Sequence, residues 1–124
     1  MNYTENYINS HWYLTFYFDK LPLGKIIFDK YPSHLYLVYI YIEKQFRGKN
    51  YLKYMLAVLD NLYYTDLVLE AKEDNVRYNK LINHYIKHGF EIIGKSRYEY
   101  QGDNLFRKLT MKKKFIQQLN IIGN

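Results

Sequence analysis

Apolar and polar positions alternate strictly near the start of the chain. Trp12, Leu14, Phe16 and Phe18 share one side while Tyr13, Thr15 and Tyr17 share the other, and this period of two predicts a strand over Trp12 to Asp19. The turn formers of Leu21-Pro22-Leu23-Gly24 then predict a reversal, followed by a short second strand over Lys25 to Asp29, so the two strands form a hairpin. After a break at Tyr31-Pro32-Ser33, the run LYLVYIYI from Leu35 to Ile42 is apolar or aromatic on both sides, the pattern of a central strand covered on both faces. The period then changes. Leu52, Met55, Leu56, Leu59 and Leu62 follow i, i+3, i+4, i+7 spacing and predict a helix from about Gly48 to Leu62. Thr65 to Ala71 returns to a strand, so Leu35 to Ala71 has the length of a βαβ crossover with parallel strands and a right-handed connection. Tyr78, Leu81, Ile82 and Tyr85 mark one side of a second helix, Asn75 to His88, stopped by Gly89. Strands over Phe90 to Gly94 and Leu105 to Phe115 flank a polar loop, YEYQGDN. The pattern therefore predicts one α/β (α+β) domain over residues 1–124, a mixed sheet flanked by helices in the order β-β-β-α-β-α-β-β.

Composition narrows the chemistry. At 124 residues the chain can bury a core of its own, and 16 Tyr with 7 Phe make it aromatic-rich rather than disordered. It has no cysteine, which excludes disulfides, thiolate-bound zinc and a cysteine nucleophile. No basic leader followed by an apolar run opens the sequence, and no stretch is long and apolar enough to span a bilayer, so the expected setting is soluble and cytoplasmic. The formal net charge of +6 favours an anionic ligand.

The segment FRGKNYLKYML, Phe46 to Leu56, gives that charge a place. A strand here ends in a short basic loop that runs into a helix. Unpaired N–H groups and the macrodipole at such a helix start attract anions, and Arg47, Lys49 and Lys53 add positive side chains. An ordinary solvated βα turn would carry the same residues.

Two stretches in the same order, IEKQFRGKNYLKYML and NVRYNKLINHYIKHGFEIIG, resemble the acyl-CoA-binding core of the GNAT superfamily of N-acyltransferases over Leu35 to Gly94. The family's R/Q-x-x-G-x-G/A loop, whose amides hold the coenzyme A pyrophosphate, is similar to Arg47, Gly48, Lys49, Asn50, Tyr51 and Leu52, with Asn50 and Leu52 at the two small-residue positions. The family's N-x-x-A-x-x-L-Y-E-K-L-G-F helix is similar to the second stretch, with Tyr85 to Phe90 falling on Y-E-K-L-G-F. Asn75 and Asn79 are the candidates for its leading asparagine, at ten and six residues before Tyr85. Only eleven residues precede Trp12, so the family's N-terminal strand and helices are expected to be reduced or missing.

The resemblance implies acetyl-CoA as cosubstrate, a primary amine of unknown identity as acceptor, and no metal. It places the pantetheine arm against the backbone around Tyr41 and Ile42. It also places Tyr85 where family members keep the acid that protonates the departing thiolate, although Tyr85 shares an apolar side with Tyr78, Leu81 and Ile82 and fits a core role as well. An alkyl amine with a pKa of about 10.4 must lose a proton before attack, and Glu43 and Glu70 are the carboxylates nearest the expected cleft, with Glu43 the chosen base.

Other features point less far. His84 and His88 have metal-ligand spacing, but HYIKH lacks the glutamate of H-E-x-x-H and reads as helix surface. Lys112-Lys113-Lys114 reads as an exposed edge guarded by lysine. A tyrosine-rich basic sheet also suits single-stranded nucleic acid, although no RNP1-like run supports that alternative; a catalytically degenerate family member is another. Exposed faces of the strands between Trp12 and Asp29 are available for a homodimer.

Overall fold

The computed structural model describes residues 2–74 and 80–116. Its strands are β1 (Asn2–Ile8), β2 (His11–Phe18), β3 (Leu21–Lys30), β4 (His34–Ile42), β5 (Asp66–Asp74), β6 (Glu91–Lys95), β7 (Glu99–Gln101) and β8 (Asn104–Lys113), and its helices are α1 (Tyr51–Tyr63) and α2 (Lys80–Lys87). They form an eight-stranded mixed sheet in the order β1-β2-β3-β4-β5-β8-β6, with β7 paired to β8. The β4–β5 pair is parallel, as expected of the crossover, and α1 and α2 make connections in the same direction across the sheet. Right-handed crossovers place both helices on one face.

Four expectations are corrected. A strand precedes Trp12: β1 joins β2 through Asn9 and Ser10, whose φ values of 50° and 69° make the left-handed pair of a two-residue hairpin turn. The second reversal is not at Leu21 to Gly24 but at Asp19-Lys20, with φ of 51° and 81°; Pro22 and Gly24 lie inside β3, beside a bulge opposite Phe16 and Tyr17. Part of the predicted loop YEYQGDN is a strand, β7, folded back on β8 around Gly102. The lysine run is not at an edge either, because β8 lies between β5 and β6, and Lys112 and Lys113 pair with Asp66 (3.3 Å) and Asp60 (2.9 Å).

The core follows the period-two and period-3.6 patterns. Leu52, Met55, Leu56 and Leu59 of α1 are buried together with Leu14 and Phe16 of β2, Ile26 and Phe28 of β3, Leu35 and Leu37 of β4, and Leu67 and Leu69 of β5. Edge-on contacts of Phe16 with Tyr54 (6.1 Å) and Phe28 with Tyr63 (5.4 Å) tie the sheet to α1. On β2 and β3 the opposite set, including Tyr13, Thr15, Tyr17 and Ile27, is only half-buried. Among the described residues this second face carries no helix, so the expectation of a sheet flanked by helices holds for one side of β2 to β4.

Candidate functional site

Strands β4 and β5 pair only from His34 to Leu37 and from Asp66 to Leu69. Beyond that point β4 follows β3 as far as Ile42 opposite Gly24, and β5 follows β8 as far as Asp74 opposite Phe106. The sheet therefore opens between Val38–Ile42 and Glu70–Asp74. A register shift in β4 at Val38 accompanies the divergence: Leu37 faces Phe28 and Tyr39 faces Ile27, leaving Val38 as the extra residue.

The ladder also sets which backbone groups face the opening. The Glu43 N–H donates to the Leu23 carbonyl at 2.8 Å, and antiparallel strands alternate the direction of their hydrogen bonds. Ile42 and Ile40 consequently turn their amides toward the gap, whereas Tyr41 pairs with Lys25 on the other side. Of the two residues expected for the pantetheine arm, Ile42 turns its amide to the gap and Tyr41 turns its amide to β3. Gly24 fits beside this strand end because it has no side chain: a Cβ there would stand 2.3 Å from the Tyr41 carbonyl oxygen.

From Glu43 the chain makes one 3₁₀ turn over Lys44–Phe46, buries Phe46, and enters the basic loop. Arg47 donates from Nε to the Ile42 carbonyl at 2.8 Å, with its guanidinium carbon 5.4 Å from the centre of the Tyr41 ring. It is thus placed at the mouth of the opening. Gly48 has φ of +75° and open space around it, and Asn50 takes the left-handed conformation at φ 65°, ψ 18° immediately before α1. Asparagine is among the few residues that accept this region, so its occurrence at a position where such loops have glycine follows from the backbone it must adopt.

The next two residues work differently from the loop. Tyr51 packs edge-on against Phe46 (5.5 Å) and Phe18 (6.2 Å), and Leu52 is buried in the core. Neither side chain points at a ligand; both leave their amides in the first turn of α1. Lys49 and Lys53 are exposed.

Tyr85 lies on α2, half-buried against Phe90 with ring centres 5.6 Å apart. Burial raises its pKa above the ordinary 10.0. Glu43, by contrast, uses its backbone in two hydrogen bonds, donating to Leu23 and accepting from Phe46, and its side chain is half-exposed. Asn75 and Asn79 lie outside the described residues.

A second carboxylate stands where the strands part. Glu70 follows Leu69, the last residue of β5 paired with β4, and accepts a hydrogen bond from the Tyr36 hydroxyl at 3.0 Å. Desolvation and this carboxylate push Tyr36 up to about 12, so the phenol stays protonated and donating. The pairing links residues 34 apart, a distance that spacing rules do not bridge.

Sequence reasoning also missed a groove of about 580 Å³ lined by residues of α1, the end of α2 and β8, including Asn50, Lys53, Asp60, Lys87, His88 and Lys113. Asn50 belongs both to this groove and to the loop. Oδ1 of Asp60 is buried without a protein hydrogen-bond partner, while its Oδ2 accepts from Lys113. The histidines are helix-end residues as expected: the His88 Nδ1 lies 2.9 Å from the His84 carbonyl, the two rings meet edge-on at 4.5 Å, and burial, His88, Lys87 and Lys80 hold His84 below its ordinary pKa. No cluster of metal-binding side chains occurs among the described residues.

No protein-family model matches the chain, and no curated protein matches it. Solved structures do. A GNAT-family protein from Bacteroides thetaiotaomicron superposes with a TM-score of 0.68 at 22% identity, over 93% of this chain and 68% of its own. A Bacillus anthracis protein solved with acetyl coenzyme A gives 0.71 at 20%, over 89% and 66%. The ribosomal-protein-S18-alanine N-acetyltransferase of Escherichia coli gives 0.67 at 15%, over 89% and 72%. The chain thus spans about two thirds of the length of these structures, and its fold is that of the GNAT acetyltransferases.

Proposed function

We propose that this GNAT-fold chain is an N-acetyltransferase that moves an acetyl group from acetyl-CoA to a primary amine. The observation that carries the reading is the opening between β4 and β5 with the basic loop and α1 N-terminus at its mouth. Ligand crevices in such sheets lie outside the carboxyl ends of parallel strands, and a helix start there holds phosphates.

The residues fit the coenzyme. Gly48 and Asn50 supply the positive-φ geometry that turns loop amides toward an anion, Leu52 is directed into the core and out of the way, and Arg47, Lys49 and Lys53 provide charge. Lys53 and Lys87 suit the phosphates of the nucleotide end in the adjoining groove. Ile40 and Ile42 offer strand amides to the pantetheine arm.

When bound, acetyl-CoA supplies a thioester carbonyl. The amine nitrogen forms a bond to that carbon, the C–S bond breaks, and the thiolate takes the proton of the Tyr85 hydroxyl, which burial keeps protonated at neutral pH. The proton shed by the amine goes to a carboxylate, which we assign to Glu43, in direct contact or through water. We assign this activity to the cytoplasm; no described helix is long and apolar enough to cross a membrane.

The test is thermal unfolding with and without acetyl-CoA. Ligand at about 100 times its dissociation constant stabilises the native state by about 2.7 kcal/mol, a rise in midpoint on the order of 10 °C for a domain of this size. A saturating shift that disappears in Lys49→Glu/Lys53→Glu supports the site. No shift at millimolar coenzyme sinks the proposal.

A further inference from the structure

The closed end of the opening between β4 and β5 carries a hydrogen-bonded pair of side chains. Pairing of the two strands stops at Leu37 and Leu69, and Glu70, the next residue of β5, accepts from the Tyr36 hydroxyl of β4 across that last rung. Both lie on the sheet face away from α1 and α2, because their strand neighbours Leu35, Leu37, Leu69 and Ala71 are buried on the helix side. Desolvation and Glu70 keep the phenol protonated, its pKa pushed up to about 12, so it serves Oε1 of the carboxylate as a standing donor. Among the described residues no cation pairs with Glu70. Lys72, two positions along the same strand, sends its ammonium to Gln101 at 2.6 Å instead. The Asp29 carboxylate, beside Tyr36 on β3, is taken by His11 at 2.6 Å.

We infer that Glu70, held by Tyr36, anchors the ammonium of the acceptor, and that the acceptor is a monoamine on an aromatic body that enters from the sheet face opposite the helices. The inference rests on the acetyltransferase reading, in which the coenzyme's phosphates sit at the mouth of the opening and its arm runs along Ile42 and Ile40 toward the closed end. The thioester then arrives at the end of the gap where Glu70 stands. Tyr85 packs against the core from the helix side, so the amine and the proton donor meet the thioester from opposite faces of the sheet. The ammonium donates to the carboxylate oxygen that Tyr36 leaves free, a charge-assisted hydrogen bond. Glu70 thus acts in binding, before the proton loss already assigned.

The walls of the opening select the rest of the acceptor. On the β4 wall Tyr39 is 47% exposed and stacks on Tyr41 at 6.2 Å, a surface that suits an aromatic ring. Lys25 lies beside that wall, 6.0 Å from the centre of the Tyr39 ring, and Lys72 stands on the β5 wall. An acceptor with a single ammonium puts its charge on Glu70 and its body against neutral rings. A polyamine would carry a further ammonium in between two lysines, and like charges there disfavour it.

Steady-state acetylation of 2-phenylethylamine and of spermidine at saturating acetyl-CoA reads the selection, and the thermal shift with acetyl-CoA on the same samples reads the coenzyme site separately. The expected kcat/KM for 2-phenylethylamine is at least about tenfold above that for spermidine. Glu70→Gln should raise the amine KM about tenfold or more with kcat within a few-fold, and Tyr36→Phe should raise it about three- to tenfold, while the acetyl-CoA shift stays as in wild type. Lys72→Glu should narrow the preference by admitting spermidine. Should Glu70→Gln fail to fold, Tyr36→Phe and the Lys72 reversal decide the matter. Variants that move only the unfolding midpoint, with KM and preference unchanged, give the pair a structural role and overturn the inference. So does spermidine used as well as 2-phenylethylamine. Acetylation of neither amine while the acetyl-CoA shift persists overturns it too, and leaves the coenzyme reading standing. Absence of the shift sinks that reading and the inference with it.

Discussion

Asn50 and Leu52 stand two positions apart and serve opposite sides of the helix start. Asn50 holds the left-handed turn that ends the loop, and Leu52 anchors the first turn of α1 in the core. Asn50→Val should therefore cost about 1–2 kcal/mol through backbone strain, whereas Asn50→Gly should be close to neutral. Leu52→Ala should cost about 2–5 kcal/mol through the cavity it leaves, and urea unfolding of the three variants tests the distinction. Sequence alone shows only that both depart from the small residues of the similar loops. Their different fates depend on φ at one position and side-chain direction at the other. Tyr85 is a second case in which two readings coexist, since it packs against the core and also suits proton donation. Tyr85→Phe keeps the packing and removes the proton, so we expect an unchanged unfolding midpoint and turnover lowered about a hundredfold. Equal rates in steady-state assays would leave Tyr85 a packing residue only.

Among the elements, those with strong periods were legible and those defined by turns were not. The central strand, α1 and the parallel strand after it lie within a few residues of where periodicity puts them, because their apolar sides are buried in continuous runs. Strand β1 escaped notice because all seven of its residues are exposed and leave no apolar pattern to read. The Pro22 and Gly24 signal misled because these residues serve a bulge and a close approach, not the reversal itself. Gly24→Ala should accordingly destabilise by about 1–3 kcal/mol, since its methyl group would meet backbone and not a side chain that can swing away; chemical denaturation tests this. The divergence of β4 from β5, on which the site depends, is not legible in the residues, since pairing distance leaves no mark in composition. Where β5 begins, Asp66 accepts from the Phe115 N–H at 2.7 Å and pairs with Lys112, and these contacts hold its pKa below the ordinary 3.8 despite partial desolvation. A carboxylate with a depressed folded-state pKa contributes stability that is fully present above its unfolded value and is lost as pH falls through the folded one. Wild type should thus lose stability below about pH 4 more steeply than Asp66→Asn, as read from unfolding midpoints across that range.

For the whole molecule, the sequence revealed a one-sided problem without its solution. Alternation along Trp12 to Asp19 shows two sides of different polarity, but it does not tell that α1 and α2 would both lie behind the same one. That follows from the handedness of two successive crossovers, a property of the path and not of any residue. Charge behaves similarly: +6 is plain from composition, but its concentration at Arg47, Lys49, Lys53 and Lys87 around one helix start and one groove is a product of folding. The lysine run shows the reverse, a cluster that looked free in sequence and is half consumed by Asp60 and Asp66.

The strand β1 closes one end of the sheet with NYTENYI, in which no proline, lysine or bulge blunts the outer row of hydrogen-bonding groups. Such a margin is a template on which further extended chains can grow. Shelf life and freeze–thaw recovery of the purified protein should hence be governed at this border more than by the strength of the core, and a single lysine at Thr4 would serve as its gatekeeper.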